Sequence, residues 1–202
     1  TVYVADATAT LNPTHTYQAD RFISATAVHL ITSKDHGATW SKPVQISPDG
    51  VPSLFPWISA GLPGRVVVGW YEGTTSTPTV TPNVWHVKVV VSTTADQEKP
   101  IFAGGFVSST PNHIGHICVV GSGCFPAQNR SLLDFFEVCI LPDGSPALAF
   151  VGHAPAKTAT VTVIATRLTR GTHLGGNERL SVPAARHRNW RPPDPQPDRH
   201  HP

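Results

Sequence analysis

Methionine is missing altogether from this chain. With Thr1 at its first position, the sequence is expected to be a processed or partial product whose targeting segment is not there to read. No run of roughly 18 apolar residues occurs, so no transmembrane helix is expected. Charge is scarce, at 14% of the 202 residues, and the formal excess of +2 lies wholly at one end. Residues 1–182 hold 11 Lys/Arg against 11 Asp/Glu, whereas 183–202 hold Arg186, Arg188, Arg191 and Arg199 against Asp194 and Asp198. A body of balanced charge argues against a nucleic-acid partner. The Arg/Pro/His-rich end has almost nothing apolar to bury, so 183–202 is read as a disordered tail and 1–182 as the folded unit. The chain also lacks a phosphate-cradling Gly-rich loop, a nucleophile elbow and a dinucleotide fingerprint, and no Asp-rich loop is present. No cofactor and no metal are expected.

What the chain has in quantity is turn chemistry between short apolar runs. It contains 16 Gly and 20 Pro, is 40% hydrophobic and is rich in β-branched residues, which points to an all-β fold of short strands. Two kinds of segment recur. Ser53–Tyr71 and Ser131–Phe150 are each an apolar run, a Pro/Gly turn and a second apolar run; Val28–Ser33, Val87–Ser92 and Val161–Thr166 are extended runs ending in a hydroxyl residue. The repeat period is about 60 to 80 residues, the spacing of four-stranded units with long loops.

The most specific segment is Ser33-Lys34-Asp35-His36-Gly37-Ala38-Thr39-Trp40. Asp35 can accept hydrogen bonds from the N–H groups of a turn, Gly37 can take a positive φ, and Trp40 is expected to pack into the adjoining sheet. This Ser-x-Asp-x-Gly-x-Thr-Trp pattern resembles the Asp box of bacterial sialidase-like repeat proteins. Phe55–Val66 followed by Trp70-Tyr71, and His113–Cys118 with Cys124 and Arg130–Phe136, resemble blade motifs of the same family, so the likeness spans roughly residues 1–170. His116 stands where that family has an acidic residue, and no Asp box follows Thr166.

The resemblance implies a secreted, six-bladed β-propeller that acts on or binds carbohydrate. Blades of this kind are four-stranded and antiparallel, with strands lettered a to d from the axis outward. Residues 54–60, 65–72, 84–92 and 101–108 then form a complete blade. Residues 2–9, 27–33 and 43–47 supply strands b, c and d of the preceding one, and 132–140, 146–151 and 159–168 supply a, b and c of the next. Some two and a half to three blades cannot close a ring of four to eight, so a partial propeller is expected. Its exposed edge strands would pair with missing blades or a partner.

Cys118 and Cys124 flank a Gly-Ser-Gly stretch and could close a small disulfide loop, as suits an exported chain. The rival is zinc on His113, His116, Cys118 and Cys124, at a spacing that matches no standard module. Cys139, in an apolar run, is expected to be a buried free thiol.

In the sialidase family the substrate lies on the propeller face opposite the Asp boxes. This leaves Arg21, Tyr71, Glu72, His113, His116, Arg130, Asp134 and His153 as polar candidates and removes Asp35, Trp40 and Arg65. A sialidase of this fold needs three arginines for the substrate carboxylate, a Tyr activated by a Glu as nucleophile, and an Asp as acid/base. The resemblance therefore nominates Tyr71 and Asp134 as catalytic residues and Arg130, His113 and Glu72 as substrate-binding ones. Tyr71 and Glu72 are neighbours on one strand and should face opposite ways. Asp134 either contacts a sugar or pairs with Arg130. Three functions follow: part of an exo-sialidase or related glycoside hydrolase, a non-catalytic glycan- or protein-binding propeller, or a truncated product without activity of its own.

Overall fold

The structure, a computed structural model, describes residues 1–10, 24–74, 83–107, 110–115, 117, 132, 135–153, 161–169 and 174, excluding the side chains of His153, Val161 and Thr162. Among these residues there is no helix; eleven strands form three antiparallel sheets, and none of the sheets closes on itself. The first sheet is β1 (Val2–Thr8), β2 (Ala27–Ser33) and β3 (Val44–Gln45) in that order. The second runs β4 (Ser53–Ala60), β5 (Val66–Gly73), β6 (Asn83–Ser92) and β7 (Ala103–Phe106), with β8 (His113–Gly115) also on β6. The third is β9 (Phe136–Ile140), β10 (Pro146–His153) and β11 (Val161–Arg167). Strands therefore lie where the apolar runs place them, in a larger central sheet and two three-stranded ones. No apolar pattern announced β8, a three-residue pairing held by the register of Val84 with Ile114 and Trp85 with His113.

The central sheet is covered on both faces, and this explains the composition of β5, whose eight residues are all buried. Alternation along β5 sends its side chains to two separate cores. Val66, Val68 and Trp70 meet Val28 and Leu30 of the first sheet, while Val67 and Tyr71 join Phe136, Val138, Leu148 and Phe150 of the third. The third sheet comes close because residue 69 is glycine: a Cβ there would lie 2.8 Å from Cε1 of Phe136. At the other interface the Gly64 N–H donates to the Tyr3 hydroxyl at 2.7 Å, and the Thr32 hydroxyl donates to the Ala95 carbonyl at 3.1 Å. These bonds fasten the first sheet to the turns at one end of the second.

Two side chains are not where the sequence suggested. Cys139 is exposed, because β9 alternates Phe136 and Val138 inward with Glu137 and Cys139 outward. Trp40 is 44% exposed, since the interface it might have entered is already filled by Leu30, Val68 and Trp70. No helix among the described residues is long and apolar enough to cross a membrane.

Candidate functional site

The Ser33–Trp40 turn is closed by its own side chains. Asp35 Oδ1 accepts from the Ser33 hydroxyl at 2.8 Å and from the Thr39 N–H at 2.9 Å, and Oδ2 accepts from the Thr39 hydroxyl at 2.5 Å. The Gly37 N–H donates to Ser33 Oγ at 2.8 Å, and Gly37 takes a φ of 94° that follows a φ of 62° at His36. The Thr39 side chain and backbone, with the Ser33 hydroxyl, stabilise the carboxylate and hold the Asp35 pKa down at about 2. Every part of this network is spent on the turn.

Tyr71 and Glu72 lie at the opposite end of β5 and face different cores. The Tyr71 phenol is fully buried, edge-on to Phe55 and Phe136 with ring centroids 6.4 and 5.1 Å away. Its hydroxyl accepts from the Val151 N–H at 3.2 Å and donates to the Val151 carbonyl at 3.4 Å, which ties the second sheet to the third. Burial pushes its pKa up to about 12. At neutral pH only about one phenol in 10⁵ is then ionised, the reverse of what a nucleophile needs.

Glu72 is 3% exposed and points the other way. It accepts from the Trp70 indole N–H at 3.0 Å and lies 3.7 Å from the Lys88 ammonium. Its register partner across the sheet is His86. This carboxylate is committed to a structural pair and has no path to the Tyr71 proton.

His113 is buried on β8, paired in register with Trp85. Its neighbour Asn112 donates from Nδ2 to the same Val151 carbonyl that Tyr71 contacts, at 2.9 Å, and Asn112 Oδ1 is buried without a hydrogen-bond partner. Asn112 belongs to this end of the molecule but was not among the candidates; the signal available was the polar Pro111-Asn112-His113 entry into an otherwise apolar region. Among the described residues the only other buried side-chain polar atom without a partner is His86 Nδ1, whose ring lies 5.0 Å from that of Phe106.

Arg21, His116, Cys118, Cys124, Arg130 and Asp134 lie outside the described residues, as does the side chain of His153. The structure thus brings together Tyr71, Asn112 and the approach to His113, and separates Glu72 from them by the thickness of the sheet. Among the described residues no disulfide is present and no group of three or more His, Cys, Asp or Glu side chains is placed to hold a metal ion. No family model, curated protein or solved structure matches the chain.

Proposed function

We propose that this chain is part of a secreted, bacterial sialidase-like β-propeller that engages glycoconjugates, and that its described blades contribute scaffold and binding surface without the nucleophile. In this reading the three sheets are successive blades with strands b-c-d, a-b-c-d and a-b-c, and the hydrogen-bonded Ser33–Trp40 turn is the Asp box between c and d of the first. The observation that carries the non-catalytic part is the Tyr71 phenol, closed in the core with its hydroxyl on the Val151 backbone. Arg130 and Asp134 remain the residues through which the rim would meet an acidic sugar.

The test is a pair of measurements on the purified chain. It should bind members of an immobilised glycan array yet give no turnover of a fluorogenic sialoside above a protein-free blank. Turnover that disappears in Tyr71→Phe and Asp134→Asn would restore the glycosidase reading. A chain that binds no glycan on the array and turns over no sialoside would remove both.

A further inference from the structure

A groove of about 610 Å³ opens between the Ser33–Trp40 turn and the 93–100 loop, at the end of the molecule away from Tyr71. It lies roughly 20 Å from Tyr71 along β5, at about 3.3 Å per residue. Its floor is apolar, with Leu30, Val44, Ala95 and Pro100, and the Trp40 ring stands in its wall. Half-exposed indole beside a groove of this size is a feature of ligand sites more than of turns, because the apolar ring face stays in water until something covers it. The turn itself does not need that ring, since the bonds of Ser33, Asp35 and Thr39 already close it.

The rim decides the chemistry of the occupant. Lys34 and Lys42 from the turn side and Asp96, Gln97 and Glu98 from the loop line the groove. Two ammonium groups balance two carboxylates, so the groove has no net charge with which to select an anion or a cation. Among the described residues Lys34, Lys42, Gln97 and Glu98 form no side-chain hydrogen bond or ion pair. A rim that offers both donors and acceptors suits hydroxyl groups, each of which is both. A flat aromatic wall suits the C–H face of a pyranose ring. A protein partner would be better served by several exposed apolar anchors with a polar rim, and among the groove's apolar side chains only Trp40 is exposed, Leu30 and Ala95 being buried and Val44 and Pro100 partly so.

We infer that this groove is a binding site for an uncharged oligosaccharide, with Trp40 as its stacking platform and Gln97, Glu98 and Lys34 as hydrogen-bonding groups. The inference rests on the reading of the chain as glycan-engaging, and it places a contact on the face opposite the Tyr71 and His113 rim. Such a site would hold a neutral portion of a glycoconjugate while its acidic end lies elsewhere.

The experiment titrates the full chain with neutral tetrasaccharides of glucose, galactose, mannose and N-acetylglucosamine, each separately, with calorimetry and the Trp40 indole N–H resonance as readouts. At least one is expected to bind and to shift that resonance. Trp40→Ala should weaken the binding tenfold or more, Trp40→Phe should recover most of it, and Glu98→Gln should weaken it several-fold. Trp57→Ala, on β4 beside the third sheet and outside the groove, should leave it unchanged. Circular dichroism checks that Trp40→Ala stays folded, and Glu98→Gln tests the groove independently of the ring. If the chain binds array glycans but Trp40→Ala and Glu98→Gln bind them equally well, the groove assignment is overturned and the broader glycan reading stands. If no glycan of any kind binds, that reading fails first. If no saccharide binds and sedimentation shows Trp40-dependent dimers, the groove is a self-association surface and the inference is wrong.

Discussion

At the scale of single residues, the two ionisable groups with large pKa shifts among the described residues, Asp35 and Tyr71, both serve the fold. Asp35 has its pKa lowered from 3.8 to about 2 by the Thr39 and Ser33 contacts. A depressed carboxylate pKa means that the folded state binds the proton less readily than the unfolded chain, so its stabilisation is present above pH 4 and is lost as pH falls toward 2. Asp35→Asn should therefore melt at a lower temperature at neutral pH and show a shallower loss of thermal midpoint between pH 4 and pH 2, as a calorimetric pH series would report. Tyr71 has the opposite sign. Its pKa rises from 10.0 to about 12, so its stabilisation is complete below pH 10 and is lost as pH rises through 12. Tyr71→Phe should remove that alkaline component. It should also cost about 1–3 kcal/mol in chemical denaturation, because the buried Val151 N–H loses its acceptor. A phenylalanine variant of wild-type stability would mean that this hydroxyl does not join the sheets.

At the scale of elements, the sheets meet through shape as much as through hydrophobicity. Gly69 lets Phe136 lie against β5, and Phe136 in turn carries the contacts to Tyr71 and Phe150. Gly69→Ala should destabilise the protein by about 1–3 kcal/mol through overpacking. Phe136→Leu in the same background should recover part of the loss, which a double-mutant cycle of denaturation free energies would measure. The strands themselves were legible in the sequence, because apolar runs bounded by Gly and Pro at the observed spacing have few other outcomes. β8 was not legible: its three residues pair with β6 through backbone bonds, and Ile114 is 71% exposed, so no burial pattern marks it. The position of Asn112 was hidden for the same reason, since its partner is a carbonyl some forty residues away, at Val151.

At the scale of the whole molecule, the described outer surfaces carry unpaired strand edges and exposed apolar side chains. Among the described residues, β1 and β11 each have one edge with no strand paired to it. The outward side of the third sheet presents Phe135 at 71% and Val163 at 69% exposure, with Trp57 beside them around a shallow hollow of about 270 Å³. Exposed edges and apolar patches of this kind promote association. Sedimentation velocity should show a concentration-dependent rise in average size, and Phe135→Glu with Val163→Lys should suppress it without lowering the melting temperature. A strictly monomeric wild-type chain at high concentration would contradict this. The sequence by itself determined every described strand but β8, and the Asp35 turn, because each depends on local chemistry and on periodicity within a short window. Only the tertiary structure decided what the candidate residues do. It put Tyr71 against Val151 and Glu72 against Trp70 and Lys88, and it turned Cys139 outward. It also left the Trp40 ring standing in an open groove at the turn with which the sequence was most emphatic. Those outcomes depend on which sheet covers which face, and that is a property of packing between segments distant in the chain.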